Sequence, residues 1–249
     1  MNQPRAPGGF LIEIAVDSTA DAIAAARHGA DRIELCSRLD LDGLSPTPAD
    51  VREVKARTAL PVVAMLRLRA GPFTCERDEL SRVLELVDAF RDAGADGVVF
   101  GFLTRAGGID ETACAEVSRR AAGMQRVFHR GFDRLIGPGD QASAMAALDS
   151  MIRLGCTRVL TAGVHPETPG ASAGAASAGA RRTLAGLIAH ARGRIEILPG
   201  GGVRAANLAE IARTTRCVQA HSSGRVDGAF DAGEVARMRA AADQVFRVG

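Results

Sequence analysis

The strongest constraint on this chain is a repeat of form rather than of residues: short strand-like runs alternate with longer helical patterns, eight times, between Phe10 and Phe246. The strand-like runs are Phe10 to Val16, Arg32 to Cys36, Pro61 to Leu68, Gly97 to Phe102, Arg126 to Arg130, Arg158 to Ala162, Arg194 to Leu198 and Cys217 to His221. Helical patterns follow each of them: Thr19 to His28, Pro48 to Thr58, Glu76 to Ala93, Ile109 to Ala122, Gln141 to Leu154, Arg181 to Ala191, Ala205 to Thr214 and Ala232 to Phe246. Gly29 and Gly94 stand at helix stop positions, Ser45 to Thr47 and Asp110 at starts. Unbroken alternation predicts a parallel α/β fold, and eight units predict closure into a (β/α)8 TIM barrel, with an open doubly wound sheet as the competitor. The 249 residues match one such barrel, so residues 1–249 are expected to form a single domain.

Composition narrows the function classes. Lys and Arg exceed Asp and Glu by 31 to 29, a net charge of +2 with no local run of like charge, so neither a nucleic-acid nor a membrane partner is expected. The expected partner is a small molecule or an ion. Residues 1 to 9 lack the apolar core of a signal peptide, and no stretch reaches the roughly 20 apolar residues of a membrane span, which points to the cytoplasm. Five cysteines with irregular spacing and no CxxC point to reduced thiols. With neither Tyr nor Trp, the chain cannot build a base-stacking or aromatic-cage surface except from Phe. One segment breaks the alternation. Residues 163–180 are nearly all Ala, Gly, Ser and Pro, and are expected to form a flexible loop over the barrel, as a tolerated insertion or as a lid.

Side chains alternate along a strand, so Glu34 shares one face with Arg32 and Cys36, while Ile33 and Leu35 take the other. The apolar face must meet the helices. The same argument turns Glu13, Arg67 and Arg69 into the bore, where two acids and two arginines are expected to pair because an isolated buried charge costs several kcal/mol. The network either fills the bore or binds an anionic or polar ligand. At the end of the fifth strand lies Phe128-His129-Arg130-Gly131-Phe132-Asp133. His129 has the side chain best suited to proton transfer near neutrality, and Asp133 is placed to orient it. His221 also ends a strand, while His28, His165 and His190 read as structural or solvated.

Glycine-rich turns follow strands seven and eight: Gly200, Gly201 and Gly202, then Ser222 and Ser223 before Gly224. Backbone amides in such loops commonly hold an anion at the C-terminal rim of a barrel, and a plain tight turn is the alternative.

Together these pieces resemble the CutC family, named for copper homeostasis. The resemblance rests on Asp31 to Cys36, Gly43 to Pro46, Arg67 to Arg69 with Gly71 and Phe73, Phe128 to Arg130 with Phe132 and Asp133, Arg158 to Thr161, Pro199 to Gly202, and His221-Ser222. It implies a TIM barrel, a cytoplasmic homo-oligomer (dimer or tetramer), and copper as the bound ion. Members proposed to bind copper carry one cysteine on strand one and one ending strand two. Here the second is Cys36, but Ala15 stands where the first would be, leaving Cys75 as the substitute partner. Cu(I) prefers at least two such soft ligands. The site expected at the rim therefore comprises Glu13, Glu34, Arg67, Arg69, His129 and Asp133. The alternative from a different class is an isomerase, aldolase or lyase acting on a small phosphorylated or carboxylated sugar-like substrate, with His129 or Glu34 moving a proton.

Overall fold

The structure is a computed structural model that describes residues 9–137, 140–168 and 171–246. Strands β1 (Leu11–Val16), β2 (Arg32–Leu35), β3 (Val62–Met65), β4 (Gly97–Phe100), β5 (Gln125–Phe128), β6 (Arg158–Thr161), β7 (Glu196–Pro199) and β8 (Gln219–Ser222) alternate with helices. The helices are α1 (Thr19–Arg27), α2 (Pro48–Arg57), α3 (Arg77–Asp92), α4 (Glu111–Arg120), α5 (Gln141–Arg153), α6 (Ala178–Ala191), α7 (Ala205–Thr215) and α8 (Ala232–Phe246). All neighbouring strands pair in parallel, in the order β7-β6-β5-β4-β3-β2-β1-β8. Because β8 returns to pair with β1, Glu13 opposite His221, the sheet is a nearly closed barrel and the open doubly wound alternative is excluded. No ladder crosses the β7–β8 seam; the Gln219 side-chain amide bridges it by donating to the Ile197 carbonyl at 3.3 Å.

Local chemistry sets the element ends. Thr47 and Asp50 cap α2 reciprocally with Pro48 in its first turn, and Asp110 accepts from the Ala113 amide to start α4. The strands are buried on both faces. Ile12, Ile14, Ile33, Leu35, Val98, Phe100 and Phe128 face the helices with 1% exposure or less, each stabilising the fold by about 1.5–3 kcal/mol. Inside the bore a second, smaller apolar cluster of Cys36, Val63, Met65, Val99 and Val127 fills the β3–β5 side. The β1, β2, β6 and β8 side of the bore instead carries Glu13, Arg32, Glu34, Arg158, Gln219 and His221, all buried.

Four departures from the sequence-based expectation matter for the site. β3 stops at Met65 rather than Leu68, because Arg67 trades hydrogen bonds with Ser45 instead of continuing a ladder: its amide donates to Ser45 Oγ and its carbonyl accepts from the Ser45 amide. β5 stops at Phe128, because His129 Nδ1 accepts from the Gly131 amide at 2.9 Å and turns the chain into a 3₁₀ segment, Arg130–Leu135. Over residues 171–180 the expected loop is helical, with a 3₁₀ segment (Ala171–Ala176) leading into α6. The Ala175 amide there donates to the Gly201 carbonyl at 3.0 Å, which lays this segment against the glycine turn. Residues 169 and 170 of that loop lie outside the described residues. Finally, a hairpin of β9 (Arg225–Val226) and β10 (Ala229–Phe230) follows β8. Its turn, Asp227-Gly228, has positive φ at both residues, the geometry that Asp-Gly pairs favour.

Candidate functional site

The C-terminal ends of the strands surround a cavity of about 470 Å³ whose lining includes Glu34, His129, Arg130, Arg204, His221 and Ser223. It is open to solvent and lies above the charged half of the bore, where a buried network holds its floor. Glu13, wholly buried on β1, accepts from Arg32 Nε and from His221 Nδ1, the latter at 2.7 Å. Arg32 also donates to Gln219 at 3.0 Å, and Arg158 spans from Glu196, 2.7 Å, toward Glu13, 4.0 Å. The register explains this: Glu13 lies opposite Arg32 on one side and His221 on the other.

Burial alone would raise the Glu13 carboxyl, but the Arg32 charge, the His221 hydrogen bond and the Arg158 charge hold it below the usual carboxylate range. Glu34 differs. Burial pushes it up and outweighs the His221 charge that opposes the rise. For His221 burial works against the charged ring, yet the facing Glu34 and Glu13 keep its proton above the ordinary range. Glu34 Oε1 lies 3.7 Å from Cys36 Sγ, while Oε2 is buried without a hydrogen-bond partner. An uncompensated buried carboxylate oxygen costs about 1–3 kcal/mol, so it marks a place where a ligand group fits. Glu13, Glu34 and His221 also offer one ligand atom each within 4.8 Å of one another, making them the metal-capable group of the described residues.

Of the residues expected from sequence, Glu34 and His129 line this mouth and Glu13 lies buried beneath it, but their expected partners differ. The arginines paired with the acids are Arg32 and Arg158, not Arg67 and Arg69. Arg67 is buried above β3 and donates to the carbonyls of Leu41, Gly43 and Gly71, tying two loops together, with its guanidinium 5.1 Å from the Phe73 ring centre. Arg69 lies outside the mouth and pairs with Glu79 at 2.6 Å. His129 stacks on Phe73, ring centres 4.5 Å apart. Burial and the Arg67 charge lower its pKa to about 3, so the ring is neutral. Asp133 does not orient it. The Asp133 carboxylate accepts from Arg130 Nε at 3.0 Å, Thr161 Oγ1 at 2.5 Å and the Ala162 amide at 3.0 Å. The 3₁₀ path after β5 delivers Asp133 to Arg130, three residues back.

The two cysteines do not form a pair. Cys36 packs in the bore among Val63, Met65, Val99 and Val127. Cys75 lies by Arg69 and Glu79 in a separate small cavity, and neither cysteine joins a metal-capable group among the described residues. Burial, then the Glu34 charge, holds the Cys36 thiol well above its usual range, and burial pushes Cys75 up to about 11. Both are held as thiols, whereas metal ligation needs thiolate. Within the glycine turn, the Gly200 amide is committed to the Thr161 carbonyl at 2.9 Å, and the Ser222 hydroxyl donates to Val203. Gly201, Gly202 and Ser223 line the cavity without such ties among the described residues.

Three residues that sequence reasoning left out of the site are Arg130, Arg204 and His221. The first was legible: Arg130 and Asp133 stand at the i, i+3 spacing of an ion pair.

A family model for the CutC family matches residues 10–226. A CutC family protein of Treponema denticola is 42% identical over 210 residues, covering 84% of this chain and 79% of the relative. The human copper homeostasis protein cutC homolog is 36% identical over 220 residues, 88% and 75% of the two chains. The crystal structure of a CutC protein from Streptococcus agalactiae superposes with a TM-score of 0.74 at 27% identity, covering 86% of this chain and 98% of that one.

Proposed function

The chain belongs to the CutC family, and from that premise we propose that it serves copper homeostasis by taking a copper ion as cargo at the floor of the mouth, on Glu34 and His221 with Cys36 beside them. The observation that carries this reading is the buried Glu34 carboxylate, whose Oε2 has no hydrogen-bond partner, in the one group of three acidic and imidazole ligand atoms that converges among the described residues. Carboxylate and imidazole suit Cu(II), whereas Cu(I) asks for two soft sulfur ligands. The Cys36–Cys75 pair supplies no such set, because Cys75 stands apart from Cys36 and both thiols hold their protons. Relatives named for copper homeostasis support the assignment. The enzyme alternative with His129 as its base used Asp133 to orient the ring, and Asp133 is given to Arg130 instead, which leaves that alternative its Glu34 form. His221 must surrender its proton to ligate, so binding weakens as pH falls.

Calorimetric titration of metal-free protein with Cu(II) tests the reading. One stoichiometric site is expected, weakened at least tenfold in Glu34→Gln and in His221→Gln and unchanged in Cys75→Ser. Wild-type affinity retained in Glu34→Gln, or no saturable site in the wild type, refutes it.

A further inference from the structure

The rest of the cavity lining has chemistry that a cation does not use. Arg130, Arg134 and Arg204 all line the cavity. Arg130 is pre-oriented: its Nε is taken by the buried Asp133, which is itself fixed by Thr161 and the Ala162 amide, and its two terminal nitrogens donate to no other described residue. The Arg130 fork lies against Gly201, where a Cβ would come within 3.3 Å of the guanidinium carbon. Gly201 and Gly202 both have positive φ, +75° and +77°, which gives the turn a conformation that L side chains resist. Arg204 lines the same cavity; its Nη1 donates to the Val203 carbonyl at 2.8 Å and to Ser222 Oγ at 3.2 Å, while its Nη2 donates to no described residue. The Arg130 fork, the second guanidinium of Arg204 and a glycine turn with uncommitted amides match the tetrahedral oxygens of a phosphate, which Arg recognises two at a time.

A phosphate ion fills only a fraction of about 470 Å³, a volume within the range of small-molecule sites. The rest of the space runs to the floor, where Glu34 Oε2 has no donor. We propose that the mouth also binds a small phosphate monoester, its phosphate on Arg130, Arg204 and the amides of Gly201 and Gly202, and a hydroxyl at its far end donating to Glu34. This reading shares Glu34 with the copper reading, but its phosphate half rests on Arg130, Arg204 and the glycine turn and is tested in metal-free protein.

The probes are glycerol 3-phosphate, D-glycerate, inorganic phosphate and glycerol, titrated calorimetrically into protein stripped with a chelator. Glycerol 3-phosphate should bind saturably and tighter than inorganic phosphate, with no binding of glycerol. Arg130→Gln should weaken it at least tenfold, as should Gly201→Ala, which keeps every charge but crowds the fork. Glu34→Gln should weaken glycerol 3-phosphate while leaving inorganic phosphate unchanged. Arg105→Gln, outside the cavity, should change nothing. Should Arg130→Gln not fold, Arg204→Gln replaces it with the same expected loss. Absence of saturable binding, equal affinity in the wild type and the arginine variants, or an equal loss in Arg105→Gln overturns the proposal. Tighter binding of D-glycerate reassigns the wall to a carboxylate and overturns the phosphate assignment. Loss of copper binding with phosphate binding intact, or the reverse, separates the two sites.

Discussion

Replacing Glu13 by Gln should destabilise the fold more than any other change that keeps side-chain volume in the bore. The carboxylate is fully buried, accepts from Arg32 and His221, and lies 4.0 Å from Arg158. The substitution leaves these cations facing a neutral amide. Removing one partner of a buried ion pair costs about 3–5 kcal/mol; because Gln keeps one acceptor oxygen, we expect the lower end, about 3 kcal/mol. For a chain of this size that lowers Tm by about 6–12 °C. The pH dependence follows from the two shifted groups. Glu13 is held below its ordinary 4.5, so the stability it contributes is present above about pH 4.5 and is lost as pH falls toward its folded value. His221 is held above its ordinary 6.5, so its contribution is present below about pH 6.5 and is lost as pH rises through its folded value. The variant lacks the Glu13 component and the share of the His221 component that Glu13 supplies, Glu34 keeping the rest, so the gap between the proteins should be widest between about pH 4.5 and 6.5 and smaller on either side. Urea unfolding followed by far-UV circular dichroism is the suitable assay, because the chain has no Trp or Tyr to report by fluorescence. A loss below about 1 kcal/mol, the worth of an ordinary hydrogen bond, or a gap that does not vary with pH, would refute the reasoning.

Two further outcomes are expected. Gly101→Ala would place its Cβ 2.6 Å from His129 Nδ1 and Cε1, so the Phe73–His129 stack must move and stability should fall by about 1–3 kcal/mol, measured by the same unfolding assay; an unchanged midpoint contradicts the packing. Alkylation of the native protein at pH 8, read by mass spectrometry of peptides, should label Cys75 before Cys36, Cys114, Cys156 or Cys217, because only Cys75 is partly exposed; burial pushes Cys114 and Cys156 up to about 12. Early labelling of Cys36 would mean that the bore opens.

The fold was legible because its signal is repeated eight times and each repeat is punctuated by caps such as Thr47 and Asp110. The inward direction of Glu13 and Glu34 was legible for the same reason, since a period of two fixes the face once Ile12, Ile14, Ile33 and Leu35 must meet the helices. Partners were harder to read. The alternation argument holds only while the strand lasts, and β3 ends at Met65, so it did not carry to Arg67 and Arg69. Arg32, on the same face as Glu34, was within reach of the argument, but Arg158 meets Glu13 only through closure of the barrel, which no local pattern encodes. Asp133 was misassigned because four residues of separation suit a helical neighbour of His129, whereas the 3₁₀ turn brings it to Arg130. The hairpin after β8 had a plain signal in Asp227-Gly228 that a search for barrel strands passes over.

The unequal filling of the bore explains why the mouth has two chemistries. Strands β3, β4 and β5 send Val63, Met65, Val99 and Val127 inward, and this cluster needs no counter-charge. The acids and arginines are thereby confined to the β1, β2, β6 and β8 side, where each charge must find its partner across a neighbouring strand. Arg32 and His221 take up both oxygens of Glu13, and so the carboxylate left over is Glu34, one pair of residues higher and at the edge of the cavity. The network at the base therefore does more than fill space. By fixing His221 Nδ1 on Glu13 it decides which ring nitrogen is left to face a ligand, and by taking Arg32 and Arg158 it leaves Glu34 facing the His221 charge with no salt-bridged guanidinium among the described residues. The remaining guanidinium groups of the cavity, Arg130 and Arg204, lie by the glycine turn instead, where Asp133 restrains Arg130. A ligand that enters the mouth thus meets an acid, an imidazole and guanidinium groups in one lining. The proposed cation and the proposed phosphate therefore draw on different groups of that lining, with Glu34 common to both.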